Sequence, residues 1–238
     1  MLIVLPPSEG KAPAGDGPPV AGLSFPKLDR PRKRVLNALI RASRRRDALD
    51  VLGLSPGQAP ELAKNLELRT AGTLPAADLY TGVLYDNLAP GELSPEARAR
   101  AEESVLIFSG LWGVVRLSDR IPPYRLAMGV SLPPVGPLAA FWRPFLTPEL
   151  DRLPGLVVDL RSSAYASAWR PGPRGVSVRV LKAGKVVSHM AKATRGEVAR
   201  RLLESGLTPE TPDELVKTLD DLGYRVTLTG GRLDVHLP

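Results

Sequence analysis

Three short apolar runs, Leu2–Leu5, Val105–Phe108 and Leu156–Leu160, lie far apart in the chain and each stops abruptly. Pro6-Pro7 cuts the first, Ser109-Gly110-Leu111-Trp112-Gly113 follows the second, and Arg161-Ser162-Ser163 follows the third. Runs this short and this apolar, broken only by Asp159 in the third, fit strands buried on both faces. The segments between them carry helical spacing. Val35, Leu36, Leu39 and Ile40 mark a helix over about 31–47, with Pro31 in its first turn. A second helix runs through Leu62, Ala63 and Leu66 after the break at Ser55-Pro56-Gly57. Ser94-Pro95-Glu96 caps a polar helix to about Glu103, and 138–146, 148–153 and 162–169 read as short helices. Tyr80–Tyr85 has no clear period and stays open.

The last third changes character. Val176, Val178 and Val180 alternate with polar partners, turn at Lys182–Lys185 and lead into Val186–Met190, which reads as a hairpin. Residues 192–205 resume helical spacing, and Thr211-Pro212-Asp213-Glu214 opens a helix carrying Leu215, Leu219 and Leu222. Tyr224–Thr229 and Arg232–Leu237 flank Gly230-Gly231 as a second hairpin. The expectation is a mixed α/β (α+β) fold: one compact domain over 1–238, a central mixed sheet, C-terminal β-hairpins and a helical insertion at about 30–70.

Composition removes several chemistries. Cysteine is absent, which excludes disulfides, thiol nucleophiles and thiolate metal sites. The two histidines, His189 and His236, sit in apolar contexts and read as structural, so no metal site and no cofactor are expected. No apolar stretch reaches the roughly 18–20 residues of a membrane span. The N-terminus lacks the basic region of a signal peptide. A cytoplasmic protein with no membrane partner is expected.

Charge is informative through its placement. The formal net charge is +7, from 32 basic and 25 acidic residues. Residues 27–50 alone hold Lys27, Arg30, Arg32, Lys33, Arg34, Arg41, Arg44, Arg45 and Arg46 against Asp29, Asp47 and Asp50. A local basic patch is what a polyanion requires. The hairpin Leu52-Gly53-Leu54-Ser55-Pro56-Gly57-Gln58-Ala59, joining that basic helix to the next, has the pattern of a helix–hairpin–helix element. Its glycines allow conformations closed to other residues, and backbone N–H groups at the following helix can meet a phosphate. Arg32, Lys33, Arg34, Arg41, Arg44, Arg45 and Lys64 would supply phosphate contacts, with Gly53, Ser55 and Gly57 shaping the turn. An ordinary αα-hairpin with a Ser-Pro cap explains the same residues.

Other motifs gather at the strand ends. Ser8-Glu9-Gly10-Lys11 suggests a P-loop, but the first glycine position is Leu5 and the residue after Lys11 is Ala12, so the match fails. What remains is a hydroxyl, a carboxylate and an ammonium where open α/β sheets hold ligands. Ser109–Arg116 and the proline-stiffened Pro122–Gly129, with Tyr124 and Arg125, suit an anionic or aromatic partner or simple packing. Lys192 and Arg195 open a helix and could bind an anion or face solvent.

These blocks, in this order, resemble the YaaA family of peroxide stress proteins. The resemblance rests on Leu5–Lys11, Tyr80-Thr81-Gly82, Ser109–Gly113, Pro123–Gly129, Phe141-Trp142 and Ala191–Gly196, and so spans nearly the whole chain. Two places depart from the family pattern, at Pro7-Ser8-Glu9-Gly10-Lys11 and Arg161–Tyr165. The resemblance implies survival of hydrogen peroxide, low unincorporated iron, and duplex DNA binding through a helix–hairpin–helix. Two readings stand. One is a stress protein that holds double-stranded DNA without base specificity. The other is an enzyme for a nucleotide or nucleobase-like molecule, with Ser8, Lys11, Tyr80, Ser109, Tyr124, Arg125 and Lys192 around one pocket. Convergence of those seven residues separates the two.

Overall fold

The computed structural model describes residues 1–186 and 189–238. Strand β1 (Leu2–Leu5) leads through a long loop to helices α1 (Asp29–Ser43), α2 (Ala48–Leu52) and α3 (Glu61–Leu66). Next come β2 (Leu74–Pro75), α4 (Ala76–Leu79), α5 (Val83–Leu88), α6 (Pro95–Ser104), β3 (Val105–Ser109) and β4 (Gly113–Val115). Short strands β5 (Arg120–Ile121), β6 (Ser131–Leu132) and β7 (Gly136–Pro137) precede α7 (Leu138–Leu150), β8 (Val157–Asp159) and α8 (Ser163–Ala166). The chain closes with β9 (Gly175–Lys182), β10 (Lys185–Val186), α9 (His189–Ser205), α10 (Pro212–Asp221) and the hairpin β11 (Arg225–Thr229) to β12 (Arg232–Leu237).

The three apolar runs become three adjacent central strands. The main sheet has the order β11-β12-β9-β8-β1-β3-β4, with β10 on β9. β1 pairs in parallel with both β3 and β8, so Val4 faces Leu106 on one side and Asp159 on the other. Every residue of β1 and β3 is buried, which is why neither strand alternates. β8, β9 and β12 continue the parallel ladder, while β4 and β11 close the ends antiparallel. The mixed α/β architecture and the C-terminal hairpin β11–β12 are therefore as the patterning implied.

Topology places the site. β1, β3, β8 and β9 run the same way, so their C-terminal ends open at one edge. The chain leaves β1 to build β3 on one side and returns to build β8 on the other. Such a reversal of strand order leaves a crevice beyond the carboxyl ends.

Several elements differ from the sequence reading. The basic helix stops at Ser43, not 47, and the separate α2 follows. The Gly53 turn therefore joins α2 to α3 and not the basic helix to its neighbour. Gly53 ends α2 at φ 64°, the left-handed cap that glycine takes freely. Residues 138–150 form one helix through Pro144 and Pro148. Leu138, Trp142, Leu146 and Leu150 fall on one buried face, and their packing outweighs the lost backbone bonds. The 162–169 helix shrinks to Ser163–Ala166. The expected hairpin arm Val186–Met190 ends at Val186; residues 187–188 lie outside the described residues, and Met190 is already helical. The face that drives α9, Ala191, Thr194 and Val198, begins just there.

α9 packs closely on α5 through Gly196. A Cβ at this glycine would sit 2.1 Å from the Leu84 carbonyl oxygen, a backbone atom that cannot swing aside. Alanine gains up to about 1 kcal/mol of helix propensity there. Overpacking costs about 1–3 kcal/mol, so the clash wins. Gly196→Ala is expected to lower the urea midpoint with an unchanged slope. An equal or higher midpoint would show that α9 can retreat from α5 at no cost.

Candidate functional site

Ser8, Lys11, Arg125 and Lys192 line one cavity of about 430 Å³ at the C-terminal edge of the sheet. The loop after β1 forms one wall. Backbone bonds stitch it to the Tyr80-Thr81 segment: Ala12 N donates to Leu79 O, Thr81 N donates to Gly10 O, and Lys11 bridges Tyr80. The Ser8 hydroxyl accepts from Thr81 N at 3.2 Å and donates to the Gly10 carbonyl. Ser8 therefore shapes the loop.

The other three pocket candidates lie behind that wall. Tyr80, Ser109 and Tyr124 are buried and do not line the cavity. The Tyr124 hydroxyl lies 2.7 Å from Ser109 Oγ and 2.9 Å from the Tyr80 hydroxyl. Ser109 Oγ also accepts from the Leu111 and Trp112 N–H groups, which folds the Ser-Gly-Leu-Trp-Gly turn back on β3. Burial pushes both tyrosines well above their ordinary pKa, so they stay neutral. The seven residues thus form one unit in two layers, four facing the cavity and three supporting it. The Lys11 Nζ joins the layers, 4.3 Å from the Tyr124 ring centroid and 5.5 Å from that of Tyr80.

Lys11 is electrostatically unusual. Burial, with the charges of Arg125 and Lys64 behind it, brings its ammonium down to about 7. Its Nζ donates to the Ser8 carbonyl at 2.9 Å. Arg125 reaches Glu9 at 3.1 Å, and its backbone is clamped by Asn65. The Asn65 amide oxygen accepts from Arg125 N at 2.8 Å; its NH₂ donates to Arg125 O and to Ser43 Oγ. Asn65 is fully buried, so α1, α3 and the cavity wall are tied by one side chain.

Sequence reasoning left Glu9, Arg195 and Tyr165 out of the pocket set, yet all three line it. Arg195 was the legible one: it follows Lys192 by three residues, which puts both on one helix face. Its Nε is buried without a partner among the described residues, and its guanidinium pKa is lowered by burial. Tyr165 comes from α8, and nothing in its local sequence points to the cavity. Its hydroxyl accepts from Met128 N at 3.4 Å, and burial raises its pKa to about 12. Arg125, Lys192 and Arg195, with Lys11 only partly charged near neutral pH, stand against the single carboxylate of Glu9 and make the lining positive. Among the described residues, no group of three or more His, Cys, Asp or Glu is placed to hold a metal. No described helix is long and apolar enough to cross a membrane.

The basic helical region is only partly available to a polyanion. Lys33, Arg34, Arg41, Arg44 and Arg45 are exposed, as are Gly53, Ser55 and Gly57. A Cβ at Gly53 or Gly57 would meet nothing within 4 Å, so the turn faces open space. Three residues must be withdrawn or discounted. Arg32 is buried, and its guanidinium donates to the carbonyls of Trp112 at 3.0 Å and Val114 at 2.8 Å, so it fastens α1 to the sheet and cannot reach a phosphate. Lys64 is half-buried and paired with Glu61 at 2.8 Å. Arg45 is exposed but shares its charge with Asp47 at 2.7 Å.

A family model described as peroxide stress protein YaaA matches residues 1–228. A UPF0246 protein of Streptomyces coelicolor is 52% identical over 241 residues, covering 95% of this chain and 92% of the relative. A UPF0246 protein of Corynebacterium efficiens is 41% identical, covering 98% and 97%. A further relative from Corynebacterium glutamicum strain R is 39% identical, covering 95% and 94%.

Proposed function

Since the chain belongs to the YaaA family of peroxide stress proteins, we propose that it serves that response by binding a phosphate-bearing, nucleotide-like molecule in the cavity at the sheet edge. The observation that carries this reading is convergence. Lys11, Arg125 and the α9 pair Lys192 and Arg195 come from three separate parts of the chain and meet around one cavity. A structural motif needs no such meeting, and a solvated charge needs no cavity. The buried Arg195 Nε has no acceptor among the described residues, and a ligand oxyanion that reached it would supply one. Tyr165 gives the lining a partly exposed aromatic ring on which a base can stack. Titration calorimetry with a purine nucleoside 5′-monophosphate tests it. Saturable one-to-one binding, weakened by inorganic phosphate, is expected. Absence of heat at millimolar ligand would remove the reading.

A second reading is favoured by the exposed face of α1 with the open Gly53–Gly57 turn. Lys33, Arg34, Arg41 and Arg44 are exposed, and the ion pairs made within residues 29–50 belong to Arg32 and Arg45 instead. This face would hold duplex DNA through its phosphates, without base specificity, as the YaaA resemblance implies. Coverage of DNA would then protect it from iron-driven oxidation, a role that asks for no bound iron. Fluorescence anisotropy over a salt series provides the check. Affinity should fall roughly tenfold or more between 50 and 200 mM salt if three or more phosphates are neutralised. Arg41→Ala/Arg44→Ala/Arg45→Ala should flatten that slope. An affinity indifferent to salt, or to the triple variant, rules out this face. Cytoplasmic location is part of both readings.

A further inference from the structure

The placement of Lys11 is not explained by anion binding. A lysine that holds an anion keeps its charge and stands in the open with its ligand. Lys11 lies against two aromatic rings, and the carboxylates closest to it in charge effect are taken by other cations. Glu61 is paired with Lys64 and Glu9 with Arg125. Its one good acceptor is the neutral Ser8 carbonyl. A desolvated amine beside other cations is the setting that makes a lysine nucleophilic.

We propose that Lys11 is a carbonyl-reactive lysine: its amine condenses with an aldehyde-bearing phosphate ester whose phosphate is held by Arg125, Lys192 and Arg195. The inference rests on the anion-binding reading of the cavity and adds the substrate's second functional group. The amine lone pair attacks the carbonyl carbon while the π pair moves to oxygen, and the proton shed by nitrogen ends on that oxygen. The carbinolamine then loses its hydroxyl as water, with a proton from solvent. The nitrogen pair closes the C=N bond, and the second N–H proton returns to solvent. One aldehyde and one amine give one imine and one water, with no change of oxidation state.

The titration of Lys11 near 7 supports this, because about half the molecules then carry a free amine at neutral pH. An exposed lysine, with its pKa near 10.4, holds roughly one free amine in a few thousand. The experiment uses the intact chain with ribose 5-phosphate and cyanoborohydride, which delivers hydride to the imine and fixes it as a secondary amine. Peptide mass mapping then locates the label. Lys11 should be labelled first, at least about tenfold ahead of any exposed lysine at pH 7. Its rate should rise to half-maximum near pH 7, because the reactive free amine appears as pH climbs through that value. Lys11→Met should lose the label. Should that variant fail to fold, the pH profile of the parent decides alone. Labelling spread over exposed lysines, or a half-maximum near pH 10, overturns the proposal. Nucleoside monophosphate binding without Lys11 labelling would defeat this inference and leave the cavity reading intact; loss of both would defeat both.

Discussion

Arg161→Met is expected to cost the fold about 3–5 kcal/mol, a third or more of the stability of an ordinary domain. The Arg161 side chain is wholly buried. It grips Asp159 with two bonds, Nε to Oδ1 at 2.8 Å and Nη2 to Oδ2 at 2.6 Å. It also donates to the Trp169 carbonyl at 2.9 Å and lies 4.1 Å over the Phe108 ring. Methionine replaces the aliphatic stem and leaves the Asp159 carboxylate buried at the end of β8 without its partner. That stranded charge dominates the cost; lost packing is secondary. The double variant Arg161→Met/Asp159→Asn should recover a substantial part of the loss, since it removes both charges. Urea denaturation of the three variants gives the comparison. A single variant within 1 kcal/mol of the parent would mean that water reaches Asp159, and that the Ser162–Tyr165 wall is not held by this pair.

Arg161 also illustrates what could be read from the chain and what could not. Its neighbours make an apolar run and then Arg-Ser-Ser, which reads as a strand and a polar exit. The strand is there. Nothing local says that the arginine turns inward, because its partners include Trp169, eight residues on, and Phe108 on another strand. Arg32 fails for the same reason: its spacing puts it beside Lys33 and Arg34, and the carbonyls that hold it inward, Trp112 and Val114, lie eighty or more positions away. Charge counts treat every arginine as solvated, so buried anchors are miscounted as surface charge. By contrast the three central strands were legible, since short, almost wholly apolar runs bounded by turn residues have few other fates. The strand-end motifs were legible as a group, and the parallel β8-β1-β3 core explains why they meet. Their division into lining and support was not, since Ser109 and Tyr124 look as reactive in sequence as Lys11.

The sharpest functional contrast lies among the cavity cations, which should not be equal. Arg195→Gln is expected to raise the dissociation constant of a nucleoside monophosphate by roughly 10–100-fold, the value of one charge-assisted hydrogen bond at about 1.5–3 kcal/mol. Arg195 is partly buried, and its Nε has no acceptor among the described residues, so a ligand oxyanion that reaches it gains a bond without displacing another. Arg125 is spent in part on Glu9 at 3.1 Å, so Arg125→Gln should cost less and Glu9→Gln should tighten binding by freeing the guanidinium. Lys192 is exposed and screened, so Lys192→Ala should cost the least, a few-fold, and most of that should vanish at high salt. The order Arg195 over Arg125 over Lys192, measured by calorimetry at two ionic strengths, follows from burial and pairing alone. Equal losses at all three positions, each fading equally with salt, would mean that the ligand senses only a diffuse positive field and no built phosphate seat. A Glu9→Gln variant that binds more tightly at both ionic strengths would mark such a seat, because a gain from removing a nearby negative charge alone fades with salt, whereas a guanidinium freed for a direct bond keeps most of its gain.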